Sequence, residues 1–247
     1  MLLHTVTITG ADDATDIDEL VGLSDEFPFL ELGILVSKSQ EGAPRFPSRS
    51  WIDRLGEVAI HKQRRLRVAM HLCDRWMLEL LTGDLVWEDL PSVSNFADTI
   101  QFNTNGLSVE PNPRRFFDQL RGSRKLMRNF IFQWNSVGEP LARLAYDRHF
   151  YVMGIFDGSG GLGFRNIPFP MGFAGGLGPD NVLEQLDKIQ AAYGDRQSHT
   201  WIDVEDRVRT DDGVKLDMGR VRSVLEQVAA SRFLAHRVLM LEPNLHG

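Results

Sequence analysis

Cysteine is nearly missing from this 247-residue chain: Cys73 stands alone. No intrachain disulfide can form, and the usage fits a reducing compartment. Long hydrophobic runs are missing too. The longest apolar windows, such as Phe29–Val36, are strand-sized, far short of the roughly 20 apolar residues of a membrane helix. The opening MLLHTVTITGADD has neither the basic start nor the long apolar stretch of a secretory signal. Nor is there a long basic run: 27 Lys and Arg against 34 Asp and Glu leave a net charge of −7, which speaks against a dedicated nucleic-acid binder. These absences lead to the expectation of a cytoplasmic protein with no membrane and no nucleic acid among its partners.

What is present is ordinary globular material, 43% hydrophobic, 25% charged and 9% aromatic, which excludes collagen-like, disulfide-scaffold and wholly disordered classes. Short β-branched or aromatic runs recur at His4–Thr9, Phe29–Val36, Leu66–Leu72, Thr99–Asn103, Asn129–Asn135, Phe150–Asp157, Gly172–Gly175 and Thr200–Val204. Between and after them lie stretches of helical period. Asp16–Glu26 groups Ile17, Leu20, Val21 and Leu23; Arg49–Gln63 repeats Ile52, Leu55, Val58 and Ala59. Asp74–Leu81, Pro113–Leu120, Glu139–Asp147, Pro179–Tyr193 and Met218–Ala230 follow, and Pro113 suits a first helical turn, where its missing N–H is not needed.

Strand–helix alternation implies crossovers and parallel strands. Eight such units in one chain of this length are what a closed (β/α)8 (TIM) barrel requires, with a doubly wound open sheet as the competing arrangement. No composition shift divides the chain, so residues 1–247 read as one barrel domain, with 233–247 a tail that frays or wraps the outside.

In a barrel the chemistry lies at the C-terminal ends of the strands. The residues there are Thr9, Ser37–Lys38, His71, Asn103, Gln133 or Asn135, Asp157, Gly175–Gly176 and Asp203–Glu205. Asp157 opens the segment DGSGGLG. A carboxyl at a strand end serves as acid or base when burial shifts its titration, and the glycines allow a mobile loop; an Asp capping an ordinary turn is the plain alternative. In GFAGGLGPDNV, Gly175 and Gly176 precede a helix, where bare amides admit a phosphate, or where geometry alone demands glycine. Asp203 should point into the barrel mouth if Ile202 and Val204 pack outward. Glu205 and Asp206 would repel a phosphate there, with Arg207 and Arg209 either compensating or solvated. His71, Cys73 and Asp74 match no zinc pattern. No metal site and no cofactor is expected. The basic run Lys62–Arg67 reads as solvated surface.

Taken in order, these motifs resemble phosphoribosylanthranilate isomerase, a (β/α)8 enzyme of tryptophan biosynthesis. VTITG (6–10) is similar to the family's Val-Lys-Ile-Cys-Gly, and LGILVSKSQEGAPRFPS to its second strand with Ser-Pro-Arg. TIQFNTNG is similar to Val-Gln-Leu-His-Gly, and GIFDGSGGLG to the Leu-Leu-Asp strand. FAGGLGPDNV, the most specific piece, resembles Leu-Ala-Gly-Gly-Leu-Asn-Pro-Glu-Asn-Val, and IDVEDRVRTDDGV the final Val-Asp-Val-Ser-Ser-Gly strand. The resemblance implies an Amadori rearrangement in which a general acid opens a sugar ring and a base removes the C2 proton. It matches Asp157 to the acid, Arg45 to the group facing a substrate carboxylate, Gly175–Gly176 to half of a phosphate site, and Asp203 to a further carboxylate.

Three positions depart from that pattern. Thr9 stands where the family has its catalytic cysteine, and a threonine hydroxyl needs an activator to act as base. Asn103 stands for a histidine and cannot exchange protons. Glu205, Asp206 and Arg207 replace the Ser-Ser-Gly of the phosphate cradle. The expectation is therefore a divergent member that does not efficiently isomerise phosphoribosylanthranilate. It would be an isomerase or related acid–base enzyme on a small sugar-derived or carboxylate-bearing substrate. Asp157, Asp203 and Thr9 would be catalytic, and Arg45, Asn103, Gly175, Gly176, Glu205 and Arg207 would bind substrate. The other classes are a non-catalytic barrel binding a metabolite or partner, and a glycosidase using Asp157 and Asp203 as its carboxylate pair.

Overall fold

The computed structural model describes residues 1–61, 66–107, 109–123, 129–157, 168–193 and 199–235. Eight parallel strands close into a barrel in sequence order: β1 (Leu2–Thr9), β2 (Leu30–Val36), β3 (Val68–Leu72), β4 (Thr99–Phe102), β5 (Asn129–Gln133), β6 (Val152–Asp157), β7 (Met171–Ala174) and β8 (His199–Val204). Each expected strand is present, and the ring closes through β1 and β8, where Val6 pairs with Ile202 and Ile8 with Val204. Closure excludes the open doubly wound sheet.

The helices are α1 (Ile17–Glu26), α2 (Arg49–His61), α3 (Asp74–Thr82), α4 (Pro113–Ser123), α5 (Gly138–Asp147), α6 (Val182–Tyr193) and α7 (Met218–Ala229). Local chemistry sets several of their ends. Asp16 and Asp217 accept hydrogen bonds from the amides of Glu19 and Arg220, satisfying donors that a helix start leaves free. Gly83 ends α3 with φ 81°, a left-handed cap that favours glycine. Three short 3-10 turns at Trp87–Asp89, Ser92–Asn95 and Asp206–Val208 carry no periodicity that would have announced them.

The core lies between the outer faces of the strands and the inner faces of the helices. Ile202 and Val204 on β8 and Val221, Val224, Leu225 and Val228 on α7 are all fully buried. On the opposite side Phe102 meets Phe132 and Phe116 at centroid distances of 4.8 and 5.6 Å, in tilted and edge-on contacts of the kind aromatic quadrupoles favour. With Ile202 and Val204 outward, Asp203 turns inward.

The tail begins as a strand-like contact: Phe233 and Ala235 exchange backbone hydrogen bonds with Leu3. Residues 236–247 lie outside the described residues, as do the glycines of the Gly158–Gly163 loop and Lys62–Arg65. Arg67 departs from the solvated reading of its run: its Nη2 donates to Thr5 Oγ1 at 2.7 Å, at the N-terminal end of the barrel. Among the described residues no helix is long and apolar enough to cross a membrane.

Candidate active site

The floor of the C-terminal mouth is made by four strands. Thr9 at the end of β1 donates from Oγ1 to Asp203 Oδ1 on β8 at 2.6 Å, and both side chains are buried. On β2 the inward position is Gly33. A Cβ there would stand 2.1 Å from Thr9 Oγ1 and 3.1 Å from His71 Nε2. Glycine is therefore required by space rather than by backbone angle, and its bare backbone lets β1 and β3 side chains share the floor.

Burial decides the protonation of these groups. Taking Asp203 out of water, with Glu205, Glu31 and Asp157 nearby, pushes its carboxyl up to about 8 against the opposing Thr9 hydrogen bond. Asp203 is thus a neutral acid at pH 7, with one oxygen accepting from Thr9 and an O–H to give. Burial drives His71 down to about 3, so it is a neutral imidazole. Gln101 Nε2, which donates to Asn103 Oδ1 at 3.0 Å, faces His71 Nδ1 at 3.4 Å. That assigns the acceptor role to Nδ1 and the proton to Nε2, and among the described residues Nε2 is buried without a partner.

Asp157 occupies a different environment. It is exposed at the end of β6 and accepts from Asn105 Nδ2 at 3.1 Å. Asn105 is held from below: Gln133 Oε1 accepts the amides of Thr104 and Asn105, and Asn135 Nδ2 donates to Asn105 Oδ1. Through β7, Asp157 pairs in register with Ala174, and Ala174 with Asp203. The two carboxyl-bearing residues therefore stand at one level with a single strand between them, about 10 Å apart at the backbone given a strand spacing of about 4.8 Å.

The β8 side of the mouth carries an ion cluster. Arg45 reaches Glu205 Oε1 at 3.1 Å and Asp206 Oδ1 at 2.6 Å. Its backbone is left-handed (φ 77°), a strained state for a non-glycine residue, and its amide is held by Asp12 Oδ2 at 2.7 Å. Burial pushes Glu205 upward, with Arg45 opposing. Arg209 lies beneath, fully buried, donating to Asp12, to Gly10 O, to Gly213 O and to Val214 O. It is a structural tie, neither solvated nor facing substrate. Arg207 turns the other way, its stem over Gly178 and its guanidinium on Asp180 at 2.8 Å.

A cavity of about 140 Å³ unites these parts, lined by His71, Gln101, Asn103, Gln133, Ile155, Asp157, Ala174, Gly175, Gly176, Asp203, Glu205 and Asp206. Of the residues expected to meet, Asp157, Asp203, Asn103, Gly175, Gly176 and Glu205 line it directly. Thr9 supports its floor and Arg45 its wall, while Arg207 is not brought to it. Gly175 and Gly176 both have positive φ (95° and 67°), the conformation that explains glycine at both positions. Cys73 does not replace the missing catalytic thiol: burial raises it to about 12, and it accepts from Asn103. Asp74, Ser37 and Lys38 form a loop brace, with the Asp74 carboxylate taking the Ser37 and Ser39 hydroxyls and the Lys38 amide. Among the described residues no three His, Cys, Asp or Glu side chains gather in a way that could hold a metal.

A larger cavity of about 370 Å³ opens at the opposite, N-terminal end, between His4, His199, Arg67 and Trp201. Its size does not outweigh the convergence of shifted and orphaned polar groups at the C-terminal mouth. Gln101, Asn105 and Gly33 went unread in the sequence. Gln101 and Gly33 follow from the same inward alternation that revealed Asp203, whereas Asn105 lies on a loop with no pattern to mark it.

No family model matches the chain, and no curated protein matches it. Solved structures do. The chain is similar to monomers of the dimeric phosphoribosylanthranilate isomerase from Thermotoga maritima, with a TM-score of 0.57 at 16% identity over 94% of this chain and 100% of that one. It is similar to N-(5'-phosphoribosyl)anthranilate isomerase from Pyrococcus furiosus, with a TM-score of 0.55 at 19% identity over 92% and 99%. It is also similar to phospho-2-dehydro-3-deoxyheptonate aldolase from Thermotoga maritima, with a TM-score of 0.55 at 15% identity over 91% of this chain and 68% of that one. Identities this low, shared with barrels of different chemistry, establish a phosphoribosylanthranilate isomerase-like (β/α)8 fold.

Proposed function

We propose that this barrel is an acid–base enzyme of the isomerase type acting on a small, sugar-derived carbonyl compound. The observation that carries this reading is the pairing of unlike carboxyls in one cavity: Asp203 buried, neutral and bound to Thr9, and Asp157 exposed at the rim at the same level. A carboxyl that burial raises can serve as acid, and a second carboxyl at the rim of the same cavity as base, without a cysteine. The environments favour Asp203 as acid and Asp157 as base, the reverse of the assignment that family resemblance implies.

In this scheme the Asp203 O–H gives its proton to a substrate oxygen, and Asp157 takes a proton from the adjacent carbon. The electron pair left on that carbon forms the enol. Return of the proton from Asp157 to the former carbonyl carbon, and transfer of the hydroxyl proton on the adjacent carbon to Asp203, moves the carbonyl by one carbon and completes an isomerisation with no net oxidation. Thr9 keeps the Asp203 carboxyl oriented, since its hydroxyl is committed to Oδ1.

Small aldoses and ketoses incubated with the enzyme in deuterium oxide test this. The reading expects carbon-bound deuterium in the substrate, lost on the order of a hundred- to ten-thousand-fold in Asp203→Asn and Asp157→Asn, with both variants still folded. Binding without any exchange would make the chain a metabolite-binding barrel instead.

A further inference from the structure

The walls of the mouth are acidic, and the cations near them are already engaged. Asp157, Glu205 and Asp206 all line the cavity, and among the described residues no lysine or arginine does. Arg45 closes its guanidinium on Glu205 and Asp206, so one cation is shared by two carboxyls while Asp157 adds a third, and Arg207 closes on Asp180 outside. A phosphate resting on the Gly175 and Gly176 amides would share its cavity with the Asp206 carboxylate, with no free cation among the described residues to offset the repulsion.

An independent feature of the floor points to a ligand. The His71 side chain is 1% exposed, lines the cavity, and leaves Nε2 with no partner among the described residues. A buried donor left unsatisfied costs about 1–3 kcal/mol unless something bound there completes it. The Asp203 carboxyl lines the same cavity. Two buried donors lining one cavity suit an oxygen acceptor, as a carbonyl provides. The amides of Gln101 and Asn103 suit hydroxyls, and the acidic rim suits a cation.

We propose that the cavity takes a small hydroxylated carbonyl compound bearing a protonated amine and no phosphate, an aminosugar in its chemistry. Its carbonyl oxygen lies against His71 Nε2 and Asp203, and its ammonium lies against the Asp157, Glu205 and Asp206 rim. This rests on the acid–base reading for the role of Asp203 but concerns which substrate class the same site accepts. The volume of about 140 Å³ lies below the roughly 300–1,000 Å³ of drug-sized pockets, in keeping with a compact ligand.

Titration calorimetry of the full chain with four probes separates the two charge contributions: D-glucosamine, D-glucose, D-glucosamine 6-phosphate and D-glucose 6-phosphate. D-Glucosamine should bind at least about tenfold more tightly than D-glucose and than either phosphate. Glu205→Ser/Asp206→Ser should abolish the amine preference and admit the phosphates. Asp206→Asn, at a carboxylate 67% exposed, should weaken the preference in the same direction if the double variant does not fold. A phosphate bound by the unaltered protein as tightly as D-glucosamine, or no member of the panel bound, overturns the proposal. Deuterium exchange is read separately on the same probes. Amine-selective binding without exchange removes the enzyme reading and keeps this one. Exchange into a phosphorylated probe keeps the enzyme reading and removes this one.

Discussion

Thr9 Oγ1 and Asp203 Oδ1 lie 2.6 Å apart, although 194 residues separate them. The contact closes the barrel chemically as well as topologically, because it spans the β1–β8 seam. It also acts against the burial that raises the Asp203 carboxyl. Thr9→Val keeps the shape and removes the hydroxyl. Without the donor, the Asp203 titration should move further upward, and stability should fall by about 1 kcal/mol. Carbon-detected NMR of the aspartate carboxyls and urea unfolding measure the two effects. A downward movement of the midpoint would contradict the arrangement.

Arg209 and Asp12 form a buried pair at 3.2 Å, with exposures of 1% and 5%. Removing the guanidinium takes the counter-charge from the buried Asp12 carboxylate and this donor from three backbone carbonyls at once. Arg209→Met should therefore cost about 3–5 kcal/mol, the penalty for breaking a buried pair from one side. Arg209→Lys should not restore it, since an ammonium cannot reach in four directions as a planar fork does. Denaturant unfolding of both variants settles the matter, and a loss under 1 kcal/mol would show the pair to be incidental.

Two buried groups of the site give stability opposite slopes with pH. The folded-state value of Asp203, about 8, is raised above the ordinary 3.8. The unfolded chain releases its proton first, so the contribution is full below about pH 4 and is lost as pH rises towards 8. His71 is lowered from 6.5 to about 3. The unfolded chain binds that proton first, so its contribution is present above pH 6.5 and is lost as pH falls towards 3. Relative to the unaltered protein, Asp203→Asn should thus gain stability progressively from pH 4 to 8, and His71→Gln from pH 6.5 down to 3. Urea midpoints across the pH range, taken as differences from the unaltered chain, isolate each effect. Flat differences would mean that neither group is desolvated as described.

Strand identity was legible because each strand is a short apolar run whose outward residues feed the helix-facing core, as Ile202 and Val204 do. The same period of two exposed Asp203 as inward-facing before any coordinates, and placed Thr9 and Asp157 at strand ends. What could not be read lies in loops, where no period constrains direction. Arg45 and Glu205 meet across 160 residues because Asp12 fixes a left-handed turn at Arg45, a tertiary effect with no local signature. Arg207 and Arg209 differ by two positions yet have opposite fates, one on the surface with Asp180 and one buried with Asp12, because the 3-10 turn at Asp206–Val208 rotates the chain between them. The unpartnered nitrogen of His71 is a property of packing around Gly33 and Gln101, visible only once three strands stand side by side.

The account turns on Asp203 being a neutral carboxylic acid at pH 7 inside the cavity it shares with Asp157. Carbon-detected NMR of aspartate-labelled protein, with the Asp203 resonance assigned by its loss in Asp203→Asn, measures this directly. The expected titration midpoint is about 8. A midpoint in the ordinary carboxylate range, near 3.8, would leave Asp203 ionised and the site without its acid.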